Sequence, residues 1–207
     1  MVKIKICGIT NLEDALNAVK LGVDALGFVF YKKSPRYICE DRAIQIIYHL
    51  PKKIKKVGVF VNERKENIKK IAKFLKLDML QFHGNESKDF CRHFKGYKII
   101  KAIRLKNKNS LKDIDRYPVW AVLFDRYQPG IFGGTGRRFN WNLIRDIKLK
   151  NKAIFLSGGL NKNNVRTAIR IVKPDWVDAS SSLEKSPGKK SYQKMKEFIK
   201  EVKNATR

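Results

Sequence analysis

Apolar and polar positions alternate in a recurring unit along this chain: a short apolar run, then a polar segment with helical spacing. The runs are VKIKIC, DALGFVF, KVGVFV, DMLQFH, YKIIKAI, VWAVLFD, KAIFLS and DWVDAS. They are rich in β-branched and aromatic residues, so eight strands are predicted. NLEDALNAVKLG places Leu12, Ala15, Leu16 and Val19 on one helical face and stops at Gly22. ENIKKIAKFLKL does the same with Ile68, Ile71, Ala72 and Leu75. NKNNVRTAIRIVKP does so with Val165, Ala168, Ile169 and Val172 before Pro174, and SYQKMKEFIKEVK with Met195, Phe198, Ile199 and Val202. SLKDIDRY carries the least helical pattern of the connecting segments.

Strand followed by helix, eight times over 207 residues, predicts parallel strands joined by crossover helices. The simplest closed form is an α/β (β/α)8 TIM barrel, a single domain over residues 1–207. The alternative is an open doubly wound sheet, but no GxGxxG opens a helix after the first strand. No segment has the composition of an interdomain linker.

In a barrel of this kind the active site lies at the C-terminal ends of the strands. The first run ends at Cys7, the fourth at QFHG, the sixth at Asp125, the seventh at SGG and the eighth at DASSS. Polar residues therefore gather at one mouth. The two-residue period puts Lys3, Lys5 and Cys7 on one face of the first strand and Ile4 and Ile6 on the other. If the isoleucines pack against helices, Lys5 lies one layer below the thiol and favours thiolate over thiol. Lys5 then needs a counter-charge, and Asp178 on the eighth strand is the candidate. Gln81 and His83 share a face of the fourth strand.

The segment SGGLNKNNV joins a strand to a helix, so Gly158 and Gly159 can bring backbone N–H groups close to an anion. Ser180 and Ser181 follow the eighth strand and add hydroxyl and amide donors, which predicts a phosphate site between strands seven and eight. GGTG, residues 133–136, is read as a lid in the loop after strand six.

Composition and charge narrow the function classes. No apolar run approaches the about 18 residues of a membrane span. The N-terminal MVKIKIC lacks the continuous apolar stretch of a signal peptide, so a cytoplasmic location is expected. Cys7, Cys39 and Cys91 are odd in number and widely spaced, which argues against a disulfide framework. No CxxC or HxxxH spacing supports a metal site, and no cofactor is expected. The net charge of +27 would attract anionic substrates. The lysines are dispersed and no aromatic-interleaved basic motif appears, so no specific nucleic-acid partner is expected. The oligomeric state stays open.

These residues and their order resemble the phosphoribosylanthranilate isomerase family. The resemblance rests on KICGIT at 5–10, GVDALGFVF at 22–30, SPR at 34–36, LDMLQFHGNE at 77–86, LFD at 123–125 and GGTG at 133–136. It continues through FNW at 139–141, SGGL at 157–160, VDASSSLE at 177–184 and PGKK at 187–190. The resemblance implies an Amadori rearrangement of a phosphorylated sugar in tryptophan biosynthesis. It makes Cys7 the general base, Asp125 the general acid and Arg36 the holder of a substrate carboxylate, with His83 and Asp178 as further substrate contacts. It implies no cofactor. A two-carboxylate sugar isomerase of the histidine pathway is the competing enzyme class, and Cys7 stands where that class has Asp. A basic nucleic-acid-binding barrel is the competing non-enzyme class. Three positions depart from the family: Phe82 in FHG, Asn140 in FNW, and Ser182 where Gly is commoner. Asn140 is expected to serve as a helix cap, and Ser182 to stiffen the phosphate loop if a positive φ is required there.

Overall fold

The computed structural model describes residues 1–130 and 138–205, so the GGTG segment expected to form a lid lies outside the described residues. Among the described residues, eight parallel strands close into a barrel in sequence order, each hydrogen-bonded to the next and the eighth to the first. They are β1 (Lys3–Cys7), β2 (Ala25–Val29), β3 (Lys55–Phe60), β4 (Met79–Phe82), β5 (Lys98–Leu105), β6 (Ala121–Arg126), β7 (Ala153–Leu156) and β8 (Trp176–Ala179). Every one falls within a run predicted from the apolar pattern or extends past one end of it by one or two residues.

The helices are α1 (Leu12–Leu21), α2 (Glu40–Tyr48), α3 (Lys65–Phe74), α4 (Lys88–Arg92), α5 (Val165–Val172) and α6 (Tyr192–Ala205). Local chemistry sets several ends. The Asn11 side chain accepts from the N–H of Asp14 and caps α1, and Gly22, at φ 88°, closes it. The strict strand–helix repeat breaks after β5 and β6. The stretch around SLKDIDRY forms two 3-10 turns, Lys108–Leu111 and Ile114–Arg116, and among the described residues the 3-10 turn Trp141–Ile144 is the one helical element between β6 and β7. Asn140 caps that last turn, as expected, by accepting from Asn142 N. The pattern passed over α2 and a small hairpin of β9 (Glu184–Ser186) and β10 (Lys189–Lys190). Leu16, expected on the buried face of α1, is 42% exposed, and Ala15 and Ala18 make the buried contact instead.

Packing separates into layers. Ile4 and Ile6 face the helices, in one apolar layer with Ala15, Ile68, Val165 and Phe198. Inside the barrel, Ala25, Val57, Met79, Ile100, Leu123, Phe155 and Trp176 fill the lower section. Phe155 and Trp176 stack with centroids 4.8 Å apart. With the lower barrel solid, the space left inside lies at the C-terminal mouth. Alternation along each strand then selects its top inward residue: Cys7 on β1, Gln81 on β4 and Asp125 on β6.

Candidate active site

A cavity of about 240 Å³ opens at this mouth, and Cys7, Arg36, His83, Asp125 and Asp178 all line it. One wall is apolar, made of Val29, Tyr31, Val59 and Val61. The opposite side continues into a cleft lined by Gly158, Gly159, Ser180 and Ser181. Ser157, Asp125, Asp178 and Ser180 belong to both spaces, so cavity and cleft are continuous.

Cys7 sits on β1 directly beside Gly27 of β2. A methyl group at Gly27 would stand 2.8 Å from Cys7 Sγ and 3.1 Å from its Cα. The glycine therefore makes room for the thiol. Below Cys7, Lys5 is fully buried, and its Nζ donates to Asp178 Oδ1 at 2.8 Å, the counter-charge expected. The two residues are register partners across β1 and β8. Burial pulls Lys5 down, but Asp178 and then Cys7 outweigh it and hold the ammonium above the ordinary lysine value. The thiol departs from expectation. Burial pushes Cys7 up, and Lys5 and Lys190 pull it back only in part. Desolvation outweighs the pull of the two ammoniums, so the balance is tilted toward the thiol and away from the thiolate.

Asp125 is buried at the tip of β6. Its Oδ1 accepts from the N–H of Arg126 at 2.7 Å, and its Oδ2 faces His83 Nε2 at 3.0 Å. His83 Nδ1 in turn lies 2.8 Å from Gln81 Nε2. His83, expected as a substrate contact, thus also braces the carboxylate. The loop that carries it is fixed from behind: Glu86 accepts from Asn62 N and Gly84 N, and from Lys101 Nζ at 2.8 Å.

Arg36 has a protein partner that the sequence reading did not supply. Its Nε and Nη2 donate to the two carboxylate oxygens of Glu184 at 2.8 and 2.7 Å. Lys190 Nζ also donates to Glu184, at 2.8 Å. Burial pushes the Glu184 carboxyl up, but Arg36 and Lys190 outweigh it and hold it below the ordinary glutamate value. The fork is therefore filled from one edge, and Nη1 is the remaining edge of the guanidinium. Glu184 and Lys190 lie within VDASSSLE and PGKK, but nothing in those segments alone signals that hairpin and loop meet. Glu86 and Lys101 were likewise missed as site supports, because their ion pair and the bond to Asn62 join segments 15 and 24 residues apart, and Gln81, though seen to share a face with His83, was not read as its hydrogen-bond partner.

In the cleft, Gly158 and Gly159 have φ of 84° and 66°, a region L-residues with side chains avoid. The Asn164 side chain donates to Gly159 O and ties this loop to the start of α5. The Ser180 hydroxyl, expected as an anion donor, donates instead to the Cys7 carbonyl at 2.9 Å. Ser182 requires no positive φ. It sits in a 3-10 turn, and its hydroxyl bonds the Leu160 carbonyl, linking the β7 and β8 loops.

A filled parallel barrel with a buried thiol and carboxylate at its mouth, beside a glycine- and serine-built cleft, is the architecture of (β/α)8 enzymes that act on small phosphorylated molecules. Within that class the match is specific: residues 4–201 fit the family model for N-(5'-phosphoribosyl)anthranilate (PRA) isomerase. The isomerase of Trichlorobacter lovleyi is 45% identical over 205 residues, 99% of this chain and 100% of the relative. The crystal structure of the Thermotoga maritima isomerase superposes with a TM-score of 0.92 at 43% identity, covering 99% of this chain and 100% of that one. A crystal structure of PRA isomerase in complex with reduced 1-(o-carboxyphenylamino)-1-deoxyribulose 5-phosphate gives 0.88 at 43% identity, with the same coverage. The chain belongs to the PRA isomerase family, enzymes of tryptophan biosynthesis.

Proposed function

We propose that the chain converts N-(5-phosphoribosyl)anthranilate to 1-(2-carboxyphenylamino)-1-deoxyribulose 5-phosphate, with Asp125 as acid and Cys7 as base. The observation that carries this reading is that the thiol and the carboxylate line one cavity from opposite sides of the barrel mouth. β1 and β6 are separated by β7 and β8, so a sugar phosphate fits between their tips.

The substrate's three parts match three surfaces. The phosphate lies in the cleft of Gly158, Gly159 and Ser181, where backbone N–H groups can surround it. The aromatic ring rests against Val29, Val59 and Tyr31. Its carboxylate meets the free Nη1 edge of Arg36, whose plane Glu184 fixes. Asp178 holds Lys5 and borders the ribose.

The chemistry follows. Asp125 gives a proton to the ribose ring oxygen, and the C1–O bond breaks to leave an iminium. C2–H is now acidified, and Cys7, as thiolate, takes that proton. The enolamine then gains a proton at C1 and loses one from the 2-hydroxyl, so the two protein groups return to their starting states. A buried thiol pushed up in proton affinity is a minor species as thiolate but a strong base once formed.

The free thiols and the absence, among the described residues, of any helix long and apolar enough to cross a membrane support a cytoplasmic site of action. Purified protein should consume the fluorescent substrate. Cys7→Ser and Asp125→Asn should each remove nearly all turnover while leaving substrate binding intact. Near wild-type rates in either variant would overturn that residue's role.

A further inference from the structure

Gln81 takes no part in the chemistry above, yet it is 1% exposed at the floor of the cavity and touches His83, the side chain that pairs with Asp125 among the described residues. Its Nε2 faces His83 Nδ1 at 2.8 Å. Its Oε1 is buried without a hydrogen-bond partner among the described residues. A buried amide oxygen left bare keeps the full cost of its lost hydration. Turning the amide over only exchanges which end is bare, so hydrogen-bond count does not choose the orientation. The proton on His83 does.

With Nε2 of Gln81 donating to Nδ1, the His83 proton sits on its Nε2 and is donated to an ionised Asp125. The His83–Asp125 pair then holds one proton. Along the contacts of this arrangement a second proton meets a donor at each position. On Nδ1 it would meet the Gln81 amide N–H, and on Asp125 Oδ2 it would meet His83 Nε2–H. On Oδ1 it would meet the N–H of Arg126, 2.7 Å away. Turning the amide resolves this: Nδ1–H donates to Oε1, and the other proton lies between Nε2 and Oδ2, where Asp125 can pass it to a ligand.

We infer that Gln81 is a positioning residue for the acid: the end of its amide turned toward His83 decides whether the His83–Asp125 pair carries one proton or two. This rests on the reading of Asp125 as the acid, since only then does the second proton serve turnover. The other charged and titratable groups lining this cavity are Cys7, Tyr31, Lys33, Arg36 and Asp178. Asp178 is neutralised by Lys5 and Arg36 by Glu184, so neither replaces the amide as the nearest control.

The test is the tautomer of His83, read by long-range proton–nitrogen NMR on histidine-labelled protein across pH. His49 and His93 are exposed, and a His83→Asn spectrum assigns the remaining signal. In the wild-type protein Nε2 should carry the proton at high pH, with Nδ1 protonated only as pH falls. Gln81→Glu offers Nδ1 an acceptor only, so Nδ1 should keep its proton to a pH higher by about one unit or more. Gln81→Met removes the donor, and the Nε2–H form should lose its dominance at high pH. It also serves as the test should Gln81→Glu not fold. A residue with only a packing role would not move the two spectra in these ways. Unchanged His83 tautomer and titration in the variants overturn the inference, whatever happens to turnover. In Gln81→Glu the falling alkaline limb of kcat should shift upward with the NMR change. If the NMR shifts and that limb does not, the amide coupling stands and the acid role of Asp125 falls.

Discussion

Replacing Lys5 by Met tests the electrostatics beneath the thiol. Lys5 has no exposed side-chain surface and Asp178 only 5%, and they meet at 2.8 Å. Breaking a buried ion pair from one side costs about 3–5 kcal/mol, most of it the penalty of stranding the other charge. The two single substitutions should not be equal. Asp178 borders the cavity, so after Lys5→Met its carboxylate can draw in water, placing the cost near ~3 kcal/mol. Asp178→Val leaves an ammonium enclosed in the barrel, placing it nearer ~5 kcal/mol. For a chain of this size the smaller figure lowers Tm by roughly 6–12 °C. The double variant strands nothing and should be more stable than the Asp178→Val single. Urea unfolding of the four proteins gives the coupling directly. Because the pairing holds Lys5 above its ordinary value, its stabilisation is present at neutral pH and is lost only as pH rises through that raised value. Lys5→Met also removes a pull that lowers the thiol, so the rising limb of kcat/KM should move to higher pH. Single substitutions costing under ~1 kcal/mol each and adding simply in the double, with an unmoved pH profile, would refute the reasoning.

Glu184→Gln should raise KM by about 10-fold with a smaller change in kcat, because Arg36 loses a charge-assisted, two-point support. It should also weaken the protein at neutral pH. Glu184 is held below its ordinary value, so its contribution is present above that value and is lost as pH falls through the folded one, which acid titration of the two proteins would show. Gly27→Ala should lower kcat by about 10²-fold in steady-state assays by forcing the Cys7 backbone and thiol to move, since the added carbon meets Cα at 3.1 Å as well as Sγ. Unchanged kinetics in Gly27→Ala would mean that the thiol's placement tolerates such a shift.

How much of this was legible in the sequence depends on the range of each interaction. The eight strands were, because alternation and β-branched content are local properties that tertiary packing reinforced. The side-chain direction of Cys7, Lys5 and Ile6 was as well, since a period of two leaves only two faces. The 3-10 turns in place of helices after β5 and β6 were not, because segments of weak helical pattern take the shape their neighbours leave. Leu16 was misplaced because its position at the edge of the apolar stripe meets solvent once Ala15 and Ala18 set the helix against the barrel.

The site divides along the same line. The candidates for the chemistry were legible in the chain: Cys7 and Asp125 as strand tips, and Arg36 through the resemblance of SPR to the family. Their state was not. The upward push on the Cys7 thiol follows from its burial among barrel residues, the committed edge of Arg36 from a hairpin about 150 residues further along the chain, and the brace on Asp125 from Gln81 and His83 two strands away around the barrel. Desolvation and hydrogen-bond partnership are sums over neighbours in space, so only the closed barrel, which brings those neighbours together, could fix them.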